Sequence, residues 1–161
     1  VDLLRLSKAD LEWLYPQANP KDIITQWLED GRSLCFLTLG TQGAMGFTNS
    51  GITAEVPAPP IKLADTVGAG DAFQAAVLAF LYKNGFLVDL HSLRSLDREQ
   101  LEACLSYAVR AAAINCSSPG ADPPYLEEMD DLSMIPRRES GCDTYNVEDQ
   151  NISKESYYAG F

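Results

Sequence analysis

The sequence has few basic residues for its length. Lys and Arg together number 12, against 23 Asp and Glu residues, which gives a formal net charge of −11. Nucleic acids and anionic membranes select for proteins with an excess of Lys and Arg, so this balance argues against both as partners. Any bound anion must therefore be met by local donors and not by a general positive field.

Histidine and clustered cysteine are also scarce. His91 is the single histidine, and the cysteines are scattered without a CxxC pair, at Cys35, Cys104, Cys116 and Cys142. A zinc site or a disulfide framework needs such clustering, so we expect neither, and we assign no residue as a metal ligand. We expect three of the four cysteines to be small core residues and His91 to be a solvated loop residue.

Long apolar runs are missing as well. No stretch approaches the roughly 18 residues of a membrane span, and the N-terminus has no signal-peptide pattern, so we expect a cytoplasmic protein. With 161 residues, 46% of them hydrophobic, the chain can form one domain with a substantial core. We place that domain at residues 1–135. We predict that residues 136–161, where the apolar periodicity has faded, form a polar tail that is disordered or held on the surface.

The most informative stretch is Asp-Thr-Val-Gly-Ala-Gly-Asp-Ala-Phe, at residues 65–73. Gly68 and Gly70 can take backbone angles that a side chain forbids, so we expect a turn that directs several N–H groups at one point. Apolar residues at helical spacing follow this turn, which places it at a helix N-terminus, where phosphate is favoured. Asp71 lies at the same helix start. It either accepts a proton from a substrate hydroxyl or only caps the helix.

Two other glycine motifs do not fit this stretch. A dinucleotide fingerprint needs a third Gly or Ala where Phe73 stands, and it needs a strand where Pro57, Pro59 and Pro60 argue against one. A phosphate-binding loop of the GxxxxGK[ST] type needs a Gly-Lys-Ser/Thr sequence, which is absent. Both motifs are therefore excluded.

The whole run resembles the signature of the ribokinase and fructokinase family of carbohydrate kinases, also called the phosphofructokinase B family. The resemblance implies that Asp71 is the catalytic base and that Gly68, Ala69 and Gly70 form the anion hole for the transferred phosphoryl group. It places Asp65 and Thr66 in the flanking phosphate and cation region. The implied reaction is in-line phosphoryl transfer from ATP, with Mg²⁺, to a sugar hydroxyl, and we expect fructose or a related sugar.

Three further stretches resemble other elements of this family. Thr-Leu-Gly-Thr-Gln-Gly resembles its nucleotide loop, which implies nucleotide contacts at Thr38, Gly40 and Gly43. Cys-Ser-Ser-Pro-Gly-Ala-Asp resembles its final glycine loop, near the adenine and, in many members, a monovalent cation, which implies nucleotide-side roles for Asn115, Gly120 and Ala121. Whether K⁺ is used stays open. Ser7-x-x-Asp10 is a departure from the family's Asn-x-x-Glu element near Mg²⁺, so a helix cap is as good a role for Asp10 as a metal contact.

The expected architecture is α/β, a ribokinase-like parallel sheet flanked by helices. Leu3 to Leu6 and Leu34 to Leu39 read as strands, and Ala44 to Val56 reads as a hairpin. Helices are expected after Ser7, from Asn19–Pro20 to Gly31, after Gly70, and from Asp97 to about Asn115, the last with a small-residue face for close packing. We read residues 86–97 as a loop.

The resemblance covers roughly residues 1–130 and corresponds to the C-terminal part of a sugar kinase, without the first strands and the β lid. Lid closure excludes water and commits the substrate, so we do not expect efficient sugar phosphorylation by this chain alone. The alternatives are a non-catalytic nucleotide-binding or interaction module, a subunit completed by another chain, and a cleaved chain. A homodimer is also compatible with the sequence.

Overall fold

Four strands form one mixed sheet in the computed structural model, which describes residues 1–129. They lie across the sheet in chain order: β1 (Leu3–Ser7), β2 (Leu34–Thr38), β3 (Ala44–Thr48) and β4 (Thr53–Val56). β1 and β2 pair in parallel, whereas β2 with β3 and β3 with β4 pair antiparallel. The α/β class is confirmed, and the parallel character resides in the β1–β2 pair. The predicted tail at 136–161 and Cys142 lie outside the described residues.

Helices cover both faces of this sheet. Their bounds are α1 (Lys8–Leu14), α2 (Pro20–Glu29), α3 (Ala69–Lys83), α4 (Leu90–Arg94), α5 (Arg98–Cys116) and α6 (Leu126–Met129). The predicted capping box is present at α1, where Ser7 and Asp10 exchange hydrogen bonds. The Asn19 side chain likewise caps α2 by accepting from the N–H of Lys21. None of the helices within residues 1–129 is long and apolar enough to cross a membrane.

The prediction of a loop over residues 86–97 is wrong at its centre, because α4 forms there. The Asp89 side chain accepts a hydrogen bond from the N–H of Ser92 at 2.7 Å and so caps a single short helix. Leu93 anchors that helix in the core at 6% exposure. His91 is exposed, as expected.

Two apolar clusters lie on opposite faces of the sheet, because successive side chains of a strand alternate between its faces. Cys35 and Leu37 of β2 join the cluster under α1 and α2. Leu34 and Phe36 join the larger cluster under α3 and α5. Phe36 meets Phe73 of α3 edge-on, with ring centroids 6.0 Å apart. The apolar run of β2 is thus covered on both faces, as its sequence predicts.

The small residues of α5 allow the close packing that the sequence predicts. This helix packs against α3 and also against β3 and β4. A Cβ atom at Gly46 of β3 would lie 2.9 Å from Leu101 Cδ1, so the helix approaches the strand where the strand has no side chain. Cys104 is buried in this layer, which raises the pKa of its thiol to about 12. Cys35 and Cys116 are buried free thiols as well.

Candidate phosphate-binding site

The turn at Gly68 ends in the left-handed region of backbone space. Gly68 is the N-cap of α3, with φ 77° and ψ −4°. Residues with a Cβ atom rarely adopt this conformation, which is open to glycine at little cost. The predicted turn and helix start are therefore confirmed at Gly68.

Two backbone N–H groups at this helix start are free to bind a ligand. The N–H of Ala69 donates to Thr66 O at 3.3 Å, and that of Ala72 donates to Gly68 O at 2.8 Å. The N–H groups of Gly70 and Asp71 have no acceptor among the described residues. Such first-turn groups carry the positive end of the helix dipole, roughly half an elementary charge, and suit a phosphate.

The expectation that Gly70 needs an unusual backbone angle is wrong, because its φ is not positive and it lies inside the first turn of α3. Its lack of a side chain matters for another reason. The guanidinium of Arg5, from β1, lies where a Cβ atom on Gly70 would be. Glycine at this position therefore permits a close approach between β1 and the start of α3.

Asp71 is the third residue of α3 and is exposed. The N-cap is Gly68, so Asp71 does not occupy the capping position that the alternative interpretation gave it. Its carboxylate accepts no hydrogen bond from any described residue, so both oxygens are available to a substrate. Its role as a base remains a prediction.

Asp65 connects the turn with the loop that follows α5. Its carboxylate accepts N–H groups from Thr66 at 2.7 Å, from Val67 at 3.1 Å and from Gly120 at 3.0 Å. These three hydrogen bonds lower the pKa of Asp65. The bond from Val67 has the largest effect and the bond from Gly120 the second largest. Asp65 thus holds together two stretches that the sequence assigned to nucleotide binding.

Asn115 and Ala121 complete this junction. Asn115 is 1% exposed, and its Nδ2 donates to Val67 O at 2.8 Å. Its Oδ1 is buried without a partner among the described residues. A Cβ atom on Gly68 would lie 2.9 Å from Ala121 Cβ and 3.3 Å from Asn115 Oδ1. The final loop and the turn therefore come together in the fold.

The loop at residues 38–43 has its described contacts elsewhere. Thr38 Oγ1 donates to Leu6 O at 3.4 Å, and Leu39 N–H donates to Gly43 O at 2.8 Å. Gly43 has φ 102° and lies against the backbone of residues 56–58. None of the hydrogen bonds described for this loop reaches Gly68 or Gly70, so nucleotide roles for Thr38, Gly40 and Gly43 stay predictions.

Sequence reasoning missed Arg5. Its signal was the presence of one basic residue in the otherwise apolar run Leu-Leu-Arg-Leu of β1. Nothing in that local pattern shows that its guanidinium reaches a helix 65 positions further along the chain.

Comparisons with known proteins identify the family. The family model for pfkB family carbohydrate kinases matches residues 1–129, including the turn, Asp71 and the final loop. The chain belongs to this family. A fructokinase of Rhizobium leguminosarum bv. trifolii is 35% identical over 100 residues, which are 62% of this chain and 30% of that protein. Fructokinase-1 of Oryza sativa subsp. japonica is 28% identical over 135 residues, 83% of this chain and 39% of that protein.

Solved structures give the same fold. The crystal structure of a fructokinase with bound ATP from Xylella fastidiosa superposes with a TM-score of 0.72 at 25% identity, over 82% of this chain and 42% of that one. An aminoimidazole riboside kinase from Salmonella enterica superposes with a TM-score of 0.66 at 24% identity, and shows the fold alone. The chain spans less than half the length of these relatives. The mixed sheet with helices on both faces is thus a ribokinase-like arrangement.

Proposed function

We propose that this chain carries the phosphate-binding turn and the catalytic base of an ATP-dependent sugar kinase. The observation that supports this proposal is that an exposed carboxylate and unpaired N–H donors lie together at the start of α3. Asp71 presents both oxygens next to its own N–H and that of Gly70, at the positive end of α3. In-line phosphoryl transfer requires mainly that a protein position the reactants and stabilise charge, and the start of α3 can do both.

The reaction that we assign to the start of α3 is the transfer of the γ-phosphoryl group of ATP to a sugar hydroxyl. Asp71 takes the hydroxyl proton, while the N–H groups of the Gly68–Gly70 turn receive the phosphoryl oxygens. Fructose is the first sugar to test, because the Rhizobium and rice relatives are fructokinases. Asp65, Thr66, Asn115, Gly120 and Ala121 would shape the nucleotide side of the site.

Magnesium fits this site only as a partner of the nucleotide. Within residues 1–129 no group of three or more His, Cys, Asp or Glu side chains could hold a metal ion. Asp10 Oδ2 accepts the Ser7 hydroxyl at 2.6 Å, and this hydrogen bond is the main cause of the lowered pKa of Asp10. Because Mg²⁺ commonly keeps several waters and binds through substrate phosphates, Mg²⁺ bound to ATP needs few protein ligands. Its chemistry would be to neutralise phosphate charge.

The first test is binding by the 161-residue chain. Calorimetry with MgATP and, separately, with adenosine should give heat for MgATP and a weaker interaction for adenosine, because the phosphates meet the N–H donors. A folded chain that gives neither heat nor a thermal shift at millimolar MgATP would remove the proposal.

The second test is catalysis in a longer protein. We define the chimera as the rice fructokinase-1, which matches this chain over 135 residues, with residues 1–129 of this chain in place of its matching part. It should form ADP in a fructose-dependent manner. A folded chimera that binds MgATP but forms no ADP would argue against the assigned base and substrate.

A second candidate is a nucleotide-binding module without sugar kinase activity. It is favoured by the open surroundings of Asp71, which is exposed, and by the position of β1 at the edge of the described sheet. MgATP binding by the chain, without fructose-dependent ADP formation by the chimera, is the result that this candidate predicts.

A further inference from the structure

Arg5 lies on the same face of the sheet as α3. The side chains of Leu4 and Leu6 join the cluster under α1 and α2, whereas Leu3 packs with the cluster on the other face. Because side chains alternate along a strand, Arg5 projects to the face of Leu3. Its register partner, Phe36, belongs to that same cluster. The charged side chain of Arg5 therefore lies on the face of the sheet that α3 covers.

The guanidinium of Arg5 ends at the first turn of α3. It lies where a Cβ atom on Gly70 would be, so only the absence of a side chain there allows this approach. The Nε atom is buried and has no hydrogen-bond partner among the described residues. Burying such a donor without an acceptor costs free energy unless a further group supplies one.

Arg5 also has no ion-pair partner among residues 1–129. The ion pairs of residues 1–129 involve Lys8, Arg32 and Arg98, and none of them includes Arg5. Asp10 is near enough for a coulombic effect, but its carboxylate bonds to Ser7. Arg5 therefore adds a positive charge to the positive end of a helix, in a chain whose net charge is −11. Two positive features that meet without an anion between them fit a site that receives one.

We propose that Arg5 is a phosphate-binding residue, whose guanidinium contacts the transferred phosphoryl group over the first turn of α3. This inference rests on the proposed function and adds the residue that meets the negative charge of the phosphate. Arginine suits the role because its planar fork of N–H donors matches phosphate oxygens and its charge is permanent.

No atom of Arg5 forms or breaks a bond in the phosphoryl transfer. The sugar oxygen forms a bond with the γ-phosphorus, the bond between that phosphorus and the bridging oxygen breaks, and ADP leaves with the bond electrons. The hydroxyl proton passes to Asp71. Arg5 contributes positive charge, because the phosphoryl oxygens in transit are negative.

The test is calorimetry on the 161-residue chain with MgATP and with adenosine. Four proteins are compared: the wild type, Arg5→Gln, Arg5→Lys and Arg98→Gln. The last is the charge control, because Arg98 is an exposed residue at the start of α5 that pairs with Glu102. We expect Arg5→Gln to bind MgATP about 10- to 100-fold more weakly, the usual worth of a hydrogen bond to a charged group, and to bind adenosine as the wild type does. Arg98→Gln should match the wild type with both ligands.

Arg5→Lys separates charge from packing. It keeps the charge and loses the fork, so its MgATP affinity should lie between those of the wild type and Arg5→Gln. Melting temperatures show whether each variant is folded at the temperature of the titration. If Arg5→Gln is not folded there, the inference is tested with Arg5→Lys. The inference is overturned if MgATP affinity is unchanged in Arg5→Gln, if Lys and Gln lose equal affinity, or if adenosine binding falls in parallel. A wild type that binds no MgATP overturns the proposed function and this inference together, which distinguishes that failure from the others.

Discussion

Asp65 Oδ2 accepts the backbone N–H of Gly120 at 3.0 Å, across 55 positions of the sequence. Its other oxygen accepts the N–H groups of Thr66 and Val67, so one carboxylate holds the turn before α3 against the loop after α5. Together with the hydrogen bond from Asn115 Nδ2 to Val67 O, this carboxylate sets the spacing between the turn and the final loop. Its protonation state should therefore influence both stability and ligand binding.

The first prediction is that Asp65→Asn destabilises the fold at neutral pH and weakens MgATP binding. An amide presents one acceptor oxygen instead of two and has no charge, so at least one of the three N–H donors loses its partner. Asp122→Asn in the same final loop is the control, because it removes a charge of the same sign. Equal effects of the two substitutions on unfolding by urea would show that the contacts of Asp65 do not matter.

The pH dependence of that difference has a defined sign. The hydrogen bonds lower the pKa of Asp65 below the ordinary value of 3.8, so the charged form is favoured in the folded state. The stabilisation is fully present above the unfolded pKa, and it is lost as the pH falls through the folded pKa. Urea unfolding should show a constant difference between wild type and Asp65→Asn from pH 5 to pH 7, and a shrinking one below about pH 4. A difference that grows toward acid pH would contradict this.

The second prediction compares the two glycines that flank α3, Gly68 before it and Gly85 after it, which have nearly the same φ. Gly68 and Gly85 have φ of 77° and 75°, but only Gly68 has neighbours where a Cβ atom would lie. Gly85→Ala should cost about 1–2 kcal/mol, the price of a left-handed residue. Gly68→Ala should cost more, because its Cβ atom would lie 2.9 Å from Ala121 Cβ. Equal free energies of unfolding for the two variants would show that the junction with the final loop is loose.

Local signals explain most of what the sequence predicted. Ser7 with Asp10, and Asn19 with Pro20, are caps formed by neighbours in the chain, so they can be read without the fold. The helix start after Gly68 is of the same kind. The short helix α4 was missed although Asp89 is a local cap, because a single turn also depends on the burial of Leu93, which the local sequence does not report.

The features that depend on tertiary packing could not be predicted from the sequence. The approach of Arg5 to Gly70 depends on how β1 lies beneath α3, and no pattern near either residue reports it. The expected unusual backbone at Gly70 was wrong for the same reason. Glycine there accommodates a distant side chain, whereas the motif suggested a turn. Asn115 at 1% exposure is similarly invisible in a helix that reads as amphipathic.

The third prediction follows from that approach. Gly70→Val adds a branched side chain where the guanidinium of Arg5 lies, so Arg5 must move away from the first turn of α3. MgATP affinity of the 161-residue chain should fall strongly while stability changes little, because the displaced atoms are the far end of a flexible side chain. Ala75→Val, at an exposed position of the same helix, is the control for the lower helix propensity of valine. Unchanged MgATP affinity in Gly70→Val, measured by calorimetry, would refute the close approach as a feature of the binding site.

The fourth prediction concerns Asp71 and separates catalysis from helix stabilisation. In the chimera, Asp71→Asn removes the proton acceptor, and general-base catalysis is worth roughly two to four orders of magnitude in rate. Turnover should therefore collapse. The melting temperature should fall by no more than about 4 °C, because the lost interaction with the helix dipole is a small surface term.

The matched control for Asp71 is Asp22, which is likewise the third residue of its helix, exposed and acidic in the first turn. Asp22→Asn removes the same charge from an equivalent helix position away from the proposed site. Both variants should therefore lose similar, small amounts of thermal stability, while only Asp71→Asn loses turnover. Near-normal fructose-dependent ADP formation in Asp71→Asn would remove Asp71 as the base. Equal losses of turnover in the two variants would place the effect in helix electrostatics, because the dipole interaction is what the two carboxylates share and access to the phosphate turn is what distinguishes Asp71.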